Sequence, residues 1–223
     1  MDENELWAAI DDQRLRTAEL LERLTPEQWA RPSLCAGWTV RDVAAHLTLQ
    51  QMGPAQALRS ALRHPGGVNR VIRESARERA ALPPRELVDR LRASVGSRRH
   101  NVGLTAQETL IDVLVHGQDI ALPLGLDLTV PVEAAAVAAQ RVWRSLGGLR
   151  SKVFADLPLE GLRLAATDAP WAVGEGPEVR GPVAALLLLL TGRTARLAEL
   201  TGDGAAVLRE RLDGRLGAGP GGA

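Results

Sequence analysis

Apolar residues recur every three or four positions through much of the chain, the spacing that is typical of amphipathic helices. Residues 3–24 show this pattern, with acids and arginines between the apolar positions. Further helices are predicted from Thr39, Pro84, Thr105 and Pro131, because a capping residue or a first-turn proline precedes an apolar stripe at each of them. The first two thirds of the chain therefore predict a helix bundle.

The pattern changes after Gly148. Short apolar runs alternate there with turns rich in glycine and proline, and 162–166 and 171–173 predict two short strands. A buried helix follows from Pro182, and a last helix is expected at about 205–212. This second region therefore predicts a small domain of helices and strands.

The expected fold class is mainly α, with a helix bundle followed by a small α+β module. The domains are placed at 1–148 for the bundle, 149–213 for the α+β module and 214–223 for a disordered tail. The 223 residues are 45% hydrophobic, enough for a core. Basic and acidic residues balance at 27 each, which argues against general binding to nucleic acid or to an anionic membrane.

Several features bear on location. Cys35 is the only cysteine, so no intramolecular disulfide can form. The N-terminus is acidic, unlike a signal peptide, and the longest apolar run, 183–190, is too short to cross a bilayer. We expect a cytoplasmic monomer or homodimer. Lys152 is the only lysine, and the arginine-rich composition is typical of high-GC bacteria such as the actinobacteria.

The segment "LIDVLVHGQDI", residues 110–120, carries polar groups on an otherwise aliphatic helix. At about 100° per residue, Asp112, His116 and Asp119 fall within about 60° of one another. Asp112 and His116 are one turn apart, so a carboxylate oxygen and an imidazole nitrogen could meet one ion. A plain alternative is that His116 hydrogen bonds to a carbonyl group or to Asp119.

A third ligand for such an ion is best supplied by His46, on the predicted second helix. His64 and His100 are poorer candidates, because one lies in a predicted loop and the other in a basic turn. Two histidines and one carboxylate suit catalytic zinc, which keeps an open fourth position. Nickel, iron and manganese also fit these ligand types.

Two other residues, Asp119 and Arg193, have two interpretations each. Asp119 could accept a hydrogen bond from an imidazole N–H, or could form a cap or an ion pair with an arginine. Arg193 could bind a substrate carboxylate through its planar fork, although arginine is common at helix C-termini. Cys35 is expected to be structural, because no histidine lies near it in the sequence.

Two blocks of the sequence resemble a known family. "LTPEQWARPSLCAGWTVRDVAAHL" resembles the N-terminal signature of the mycothiol-dependent maleylpyruvate isomerase family, a branch of the DinB-like metal-binding bundles. "IDVLVHGQDIALPLG" resembles the acid-x-x-x-His-x-x-Asp helix of the family, and "PVAALLLLLTGR" its closing segment. The residues that carry the first match are Trp29, Pro32, Ser33, Leu34, Cys35, Gly37, Trp38, Thr39, Val40, Asp42, Val43, His46 and Leu47.

The resemblance implies a DinB-like, up-and-down four-helix bundle that holds a divalent metal, usually zinc. His46, His116 and the acid at position 112 would be its ligands. The isomerases usually carry Glu at the acidic position, whereas this chain has Asp112, which is shorter by one methylene. The ion or the helix would therefore shift by about 1 Å, or the bond would pass through a water molecule.

The resemblance also implies the chemistry of the site. The metal would lower the pKa of the thiol of mycothiol, and the thiolate would add to an activated double bond. The expected activity is isomerisation of a maleylpyruvate-type substrate or thiol S-transfer to a small electrophile. The alternatives are a non-catalytic metal-binding or regulatory protein and a metal-dependent hydrolase.

Overall fold

The computed structural model describes residues 1–146 and 157–217, with side chains as far as 214. These residues are mainly helical and include one three-stranded sheet, which confirms the predicted fold class. The chain forms two compact units, Met1–Ala134 and Ala135–Ala223. The boundary between them falls inside a helix, whereas the predicted boundary near Gly148 lies outside the described residues.

The first unit is built from helices. They are α1 (Glu3–Glu22), α2 (Pro26–Trp29), α3 (Val40–Leu47), α4 (Pro54–Arg63), α5 (Val68–Arg79), α6 (Pro84–Ala93) and α7 (Ala106–Ala121). Helices α1 and α3 each pack against both α6 and α7, so these four form a bundle. Helix α5 packs on α3, and α4 packs on α5. This arrangement puts the two helices with candidate ligands, α3 and α7, in contact.

The predicted N-terminal caps of α3 and α7 are confirmed. The backbone N–H of Thr39 donates to Asp42 Oδ2 at 2.8 Å, and that of Thr105 donates to Glu108 Oε2 at 2.9 Å. Each threonine side chain in turn accepts from the backbone of the helix. These caps fix where each helix begins, and therefore which of its residues share a face.

Helix α3 is shorter than its apolar pattern suggests. It ends at Leu47, and the Thr48 hydroxyl donates to the carbonyl of Ala45 at 2.7 Å. A separate helix, α4, then begins at Pro54 after Gly53, a break that the sequence analysis did not predict. A loop around Gly66 joins α4 to α5.

The second unit combines helices with the sheet. Its elements are α8 (Val132–Ser145, which begins in the first unit), β1 (Arg163–Ala166), β2 (Ala172–Val173), β3 (Glu178–Gly181), α9 (Val183–Leu190) and α10 (Asp203–Gly217). The strand order is β2-β1-β3, with β1 antiparallel to β2 and parallel to β3. The apolar helix α9 packs on β1, and α10 packs on β3.

The sequence predicted β1 and β2 but missed β3. In β3 only Val179 is a large apolar residue, and Leu164 of β1 is its partner in the sheet. The pairing therefore depends on a neighbouring strand and not on a local alternating pattern. Helix α10 extends to Gly217, into the predicted disordered tail, and residues 218–223 lie outside the described residues.

No helix of the described residues has both the length and the hydropathy that a bilayer crossing requires. The most apolar of them, α9, has only 8 residues.

Candidate metal centre

Helices α3 and α7 bring His46, Asp112 and His116 together. One donor atom from each lies within 4.8 Å of the other two. The two imidazole rings meet edge to face, with centroids 4.8 Å apart and planes at 79°. Asp112 Oδ1 lies 3.9 Å from His116 Nε2. The three residues that the sequence analysis grouped across 70 positions of chain therefore form one cluster.

The donor set and its spacing fit a divalent ion such as zinc. With bonds of about 2.1 Å, the ligand atoms of a tetrahedral ion lie about 3.4 Å apart. The 3.9 Å separation of Asp112 Oδ1 and His116 Nε2 exceeds this by little, so small side-chain rotations would close the site. Asp112 and His116 both lie on α7, so the i, i+4 spacing of the helix sets this separation.

The other nitrogen of His116 faces Asp119. His116 Nδ1 lies 2.8 Å from Asp119 Oδ2, and the Asp119 side chain is completely buried. In neutral His116 the proton is on Nδ1, because the Asp119 carboxylate accepts a hydrogen bond from the Nδ1–H group. The lone pair of Nε2 then points towards His46 and Asp112. The contact matches one of the two interpretations of Asp119 from the sequence.

Cys35 belongs to the same cluster, which the sequence analysis missed. Its thiol donates to Asp119 Oδ2 at 3.0 Å, and Sγ lies 3.6 Å from His116 Nδ1. The loop that carries Cys35 is held against α7 by a hydrogen bond of 3.2 Å from the backbone N–H of Leu34 to the carbonyl of Asp119. The available signal was the position of Cys35 in the same motif block as His46; its distance from any histidine in the sequence was misleading.

A turn positions the Cys35 loop. The Ser33 hydroxyl donates to the carbonyl of Trp38 at 2.9 Å and accepts from the backbone N–H of Cys35 at 3.1 Å. Gly37 adopts a φ of 75°, a left-handed conformation that favours glycine. The turn also sets the Trp38 ring beside His46, with centroids 5.4 Å apart. Trp38 therefore forms part of the wall around the candidate site.

The two histidines differ in their electrostatics. Burial, with a further contribution from the charge of His116, lowers the pKa of His46 to about 3. Burial also acts to lower the pKa of His116, but hydrogen bonds and charge from Asp119 and Cys35 outweigh it and raise that pKa to about 10. At neutral pH, His46 is therefore uncharged and its lone pair is free to coordinate an ion. Metal-free His116 instead carries protons on both ring nitrogens and is positively charged.

The other two histidines lie outside the cluster. His64 faces Glu78, with 3.2 Å between Nε2 and Oε2, and exposed His100 lies beside the carbonyl of Asn101. Arg193 follows α9 in the second unit, where its guanidinium donates to the carbonyl of Thr191. Its binding of a substrate carboxylate stays a prediction.

Residues 10–110 match the family model described as "Mycothiol maleylpyruvate isomerase N-terminal domain". The matched residues make up a little under half of the chain, and over that part the chain resembles the N-terminal domain of this family. The matched range includes Cys35 and His46 and ends just before Asp112 and His116. The resemblance to this family thus rests on a region that supplies only one of the three candidate ligands.

Two solved structures share the fold of this protein. One is the crystal structure of the mycothiol-dependent maleylpyruvate isomerase, with 15% identity and a TM-score of 0.62, covering 92% of this chain and 94% of that one. The other is a histidine-to-alanine mutant of the mycothiol-dependent maleylpyruvate isomerase, with 16% identity and the same TM-score and coverage. At these identities the likeness shows the fold. No curated protein matches the chain.

Proposed function

We propose that the protein is a metal-dependent enzyme that activates mycothiol, a low-molecular-weight thiol, for attack on a small electrophile. The proposal rests mainly on one observation: a ligand atom from each of His46, Asp112 and His116 lies within 4.8 Å of the other two. The family match and the shared fold support the thiol dependence. Isomerisation of a maleylpyruvate-type double bond is the favoured reaction, and S-transfer by the same thiolate is the second candidate.

The protein groups have distinct tasks in this scheme. His46 is neutral and supplies a lone pair at any pH well above about 3. Asp119 orients His116 so that Nε2 faces the other ligands. Asp112 contributes a negative charge at the more exposed side of the cluster, with 30% of its side chain accessible. A divalent ion held there would act as a Lewis acid that favours the thiolate over the thiol.

The isomerisation itself needs one bond to form and break. The thiol releases its proton to solvent, from which it recovers one after the last step, and the sulfur forms a bond to an alkene carbon conjugated to a carbonyl group. The π electrons move onto the carbonyl oxygen, which leaves a single bond about which the adduct can rotate. Elimination of the thiolate then restores the double bond as the trans isomer, so the thiol is regenerated and no oxidant is required.

The proposal is tested by turnover of maleylpyruvate with and without mycothiol, using the metal-loaded protein. We expect turnover only with the thiol, and loss of turnover in His46→Ala. His100→Ala is the matched control, since His100 is exposed and lies outside the cluster.

Three outcomes separate the candidate reactions. A trans product with the thiol unchanged indicates isomerisation, whereas a stable thioether product with a second electrophile indicates S-transfer. Hydrolysis that needs no thiol would contradict the proposal and favour the hydrolase. A metal-loaded, folded protein that turns over no electrophile from a broad panel would favour a non-catalytic role.

A further inference from the structure

A cavity of about 380 Å³ lies among α4, α5 and α6 in the first unit. Its volume is in the range of small-molecule binding sites, about 300–1,000 Å³. None of the described residues that line it is a candidate metal ligand. The cavity is therefore a feature separate from the metal centre, and the proposed function does not explain it.

Positive charge is concentrated around this cavity. Arg59, Arg63, Arg79 and Arg90 line it, whereas Glu78 is the only acidic residue among its described lining residues. The segment 54–79 contains six arginines and two glutamates, although the whole chain has a net charge of zero. The cavity is thus a local positive site on a neutral protein, and such sites attract anions.

Two of the four arginines already have carboxylate partners. Arg63 forms an ion pair with Glu78, and Arg90 pairs with Glu86 at 2.7 Å. Within residues 1–146 and 157–217, the guanidinium groups of Arg59 and Arg79 form neither a hydrogen bond nor an ion pair. Burial, together with the charge of Arg90, lowers the pKa of Arg79, which is consistent with a positive charge that nearby acids do not fully compensate.

Hydroxyl groups add neutral donors to the same wall. Ser60 Oγ and Ser75 Oγ lie 2.9 Å apart, and Ser75 is only 7% exposed. Their mutual hydrogen bond uses one of the two hydroxyl protons, so the other proton can be donated to a further acceptor. The cavity therefore combines a hydroxyl donor with two guanidinium groups, those of Arg59 and Arg79, that have no ion-pair partner among the described residues.

We propose that this cavity binds a small organic dianion, either a dicarboxylate or a phosphate monoester. Arg59 and Arg79 are its principal ligands, because the planar guanidinium group matches the paired oxygens of carboxylate and phosphate groups. The Ser60–Ser75 pair supplies an additional donor.

The test is a titration of the metal-loaded protein with succinate and, separately, with inorganic phosphate, at constant ionic strength. We expect both anions to bind, and the tighter of the two to indicate the class of the natural ligand. Arg79→Gln should weaken binding about tenfold, since a hydrogen bond to a charged group is lost. Arg59→Gln gives a second variant at an exposed position where folding is not at risk.

Arg16→Gln is the matched control. Arg16 is an exposed arginine of α1 that pairs with Asp12 at 2.7 Å, so its loss changes the net charge equally without touching the cavity. The proposal is overturned if neither anion binds, or if Arg16→Gln weakens binding as much as Arg79→Gln does. It is also overturned if His116→Ala abolishes binding while Arg59→Gln and Arg79→Gln leave it unchanged, which would place the anion at the metal centre.

Discussion

The two sides of the His116 ring differ in what surrounds them. On the Nε2 side lie Asp112, with a 30% exposed side chain, and His46 from a neighbouring helix. On the Nδ1 side lie Asp119, which is completely buried, and the thiol of Cys35. The Nε2 side can therefore admit an ion and a substrate, whereas groups on the Nδ1 side act only by orienting and polarising His116. Substitutions on the two sides should therefore differ in how strongly they weaken metal binding and in how they change its pH dependence.

The largest effect is expected from removal of the shared residue. His116→Ala deletes one ligand and leaves a two-residue site, so bound metal should fall from about one ion per chain to nearly none. Metal analysis after purification and dialysis measures this. His100→Ala should keep its metal. Retention of about one ion by His116→Ala would show that the cluster is not the binding site.

A strong pH dependence should follow from the proton on His116. Because an ion must displace that proton, apparent affinity should rise about tenfold per pH unit below a pKa of about 10. His46, with a pKa of about 3, should release no proton in the neutral range. Calorimetry in buffers of different ionisation enthalpy should count about one proton released per ion near pH 8; a count of zero would contradict the pKa difference.

The raised pKa of His116 should also make the stability of the metal-free protein depend on pH. The pKa of His116 is raised in the folded state from 6.5 to about 10. Its proton therefore stabilises the fold fully below pH 6.5, and this contribution is lost as the pH rises through about 10. Thermal unfolding of the metal-free protein across this window measures the loss. His116→Ala should lack this dependence.

The Nδ1 side is probed by Asp119→Asn, which removes the charge but keeps the shape. Metal affinity corrected for competition by the His116 proton should fall about 10- to 100-fold. The pH dependence near neutrality should also flatten, because His116 no longer retains its proton. Asp89→Asn, an exposed position on α6, is the control. Unchanged affinity and slope in Asp119→Asn would remove the distinction between the two sides.

The smallest effect is expected at Cys35. Cys35→Ala removes the thiol that donates to Asp119 Oδ2, which should weaken metal binding about threefold, the net value of one hydrogen bond. Cys35→Ser keeps a donor and should restore the affinity. Equal losses in both variants would show that the sulfur itself contributes something beyond a hydrogen bond. Melting temperatures measured alongside would separate a loss of metal from a loss of fold.

Much of the bundle was predictable because its signals are local. Capping residues such as Thr39 and Thr105 indicate where helices begin. An i, i+4 spacing places Asp112 and His116 on one face of their helix, whatever that helix packs against. The break at Gly53–Pro54 and strand β3 were missed. The first interrupts an otherwise apolar pattern, and the second is stabilised by its pairing with β1.

The sequence by itself determined which side chains share a face of α7 and where the helices that carry them begin. Tertiary structure decided which groups meet across the chain: His46 with His116, and Cys35 with Asp119, which lie 84 positions apart. It also decided that two histidines of one cluster have pKa values on opposite sides of neutrality. Helix periodicity is a property of neighbouring residues, whereas burial and partners depend on how distant segments pack, and no local pattern encodes them.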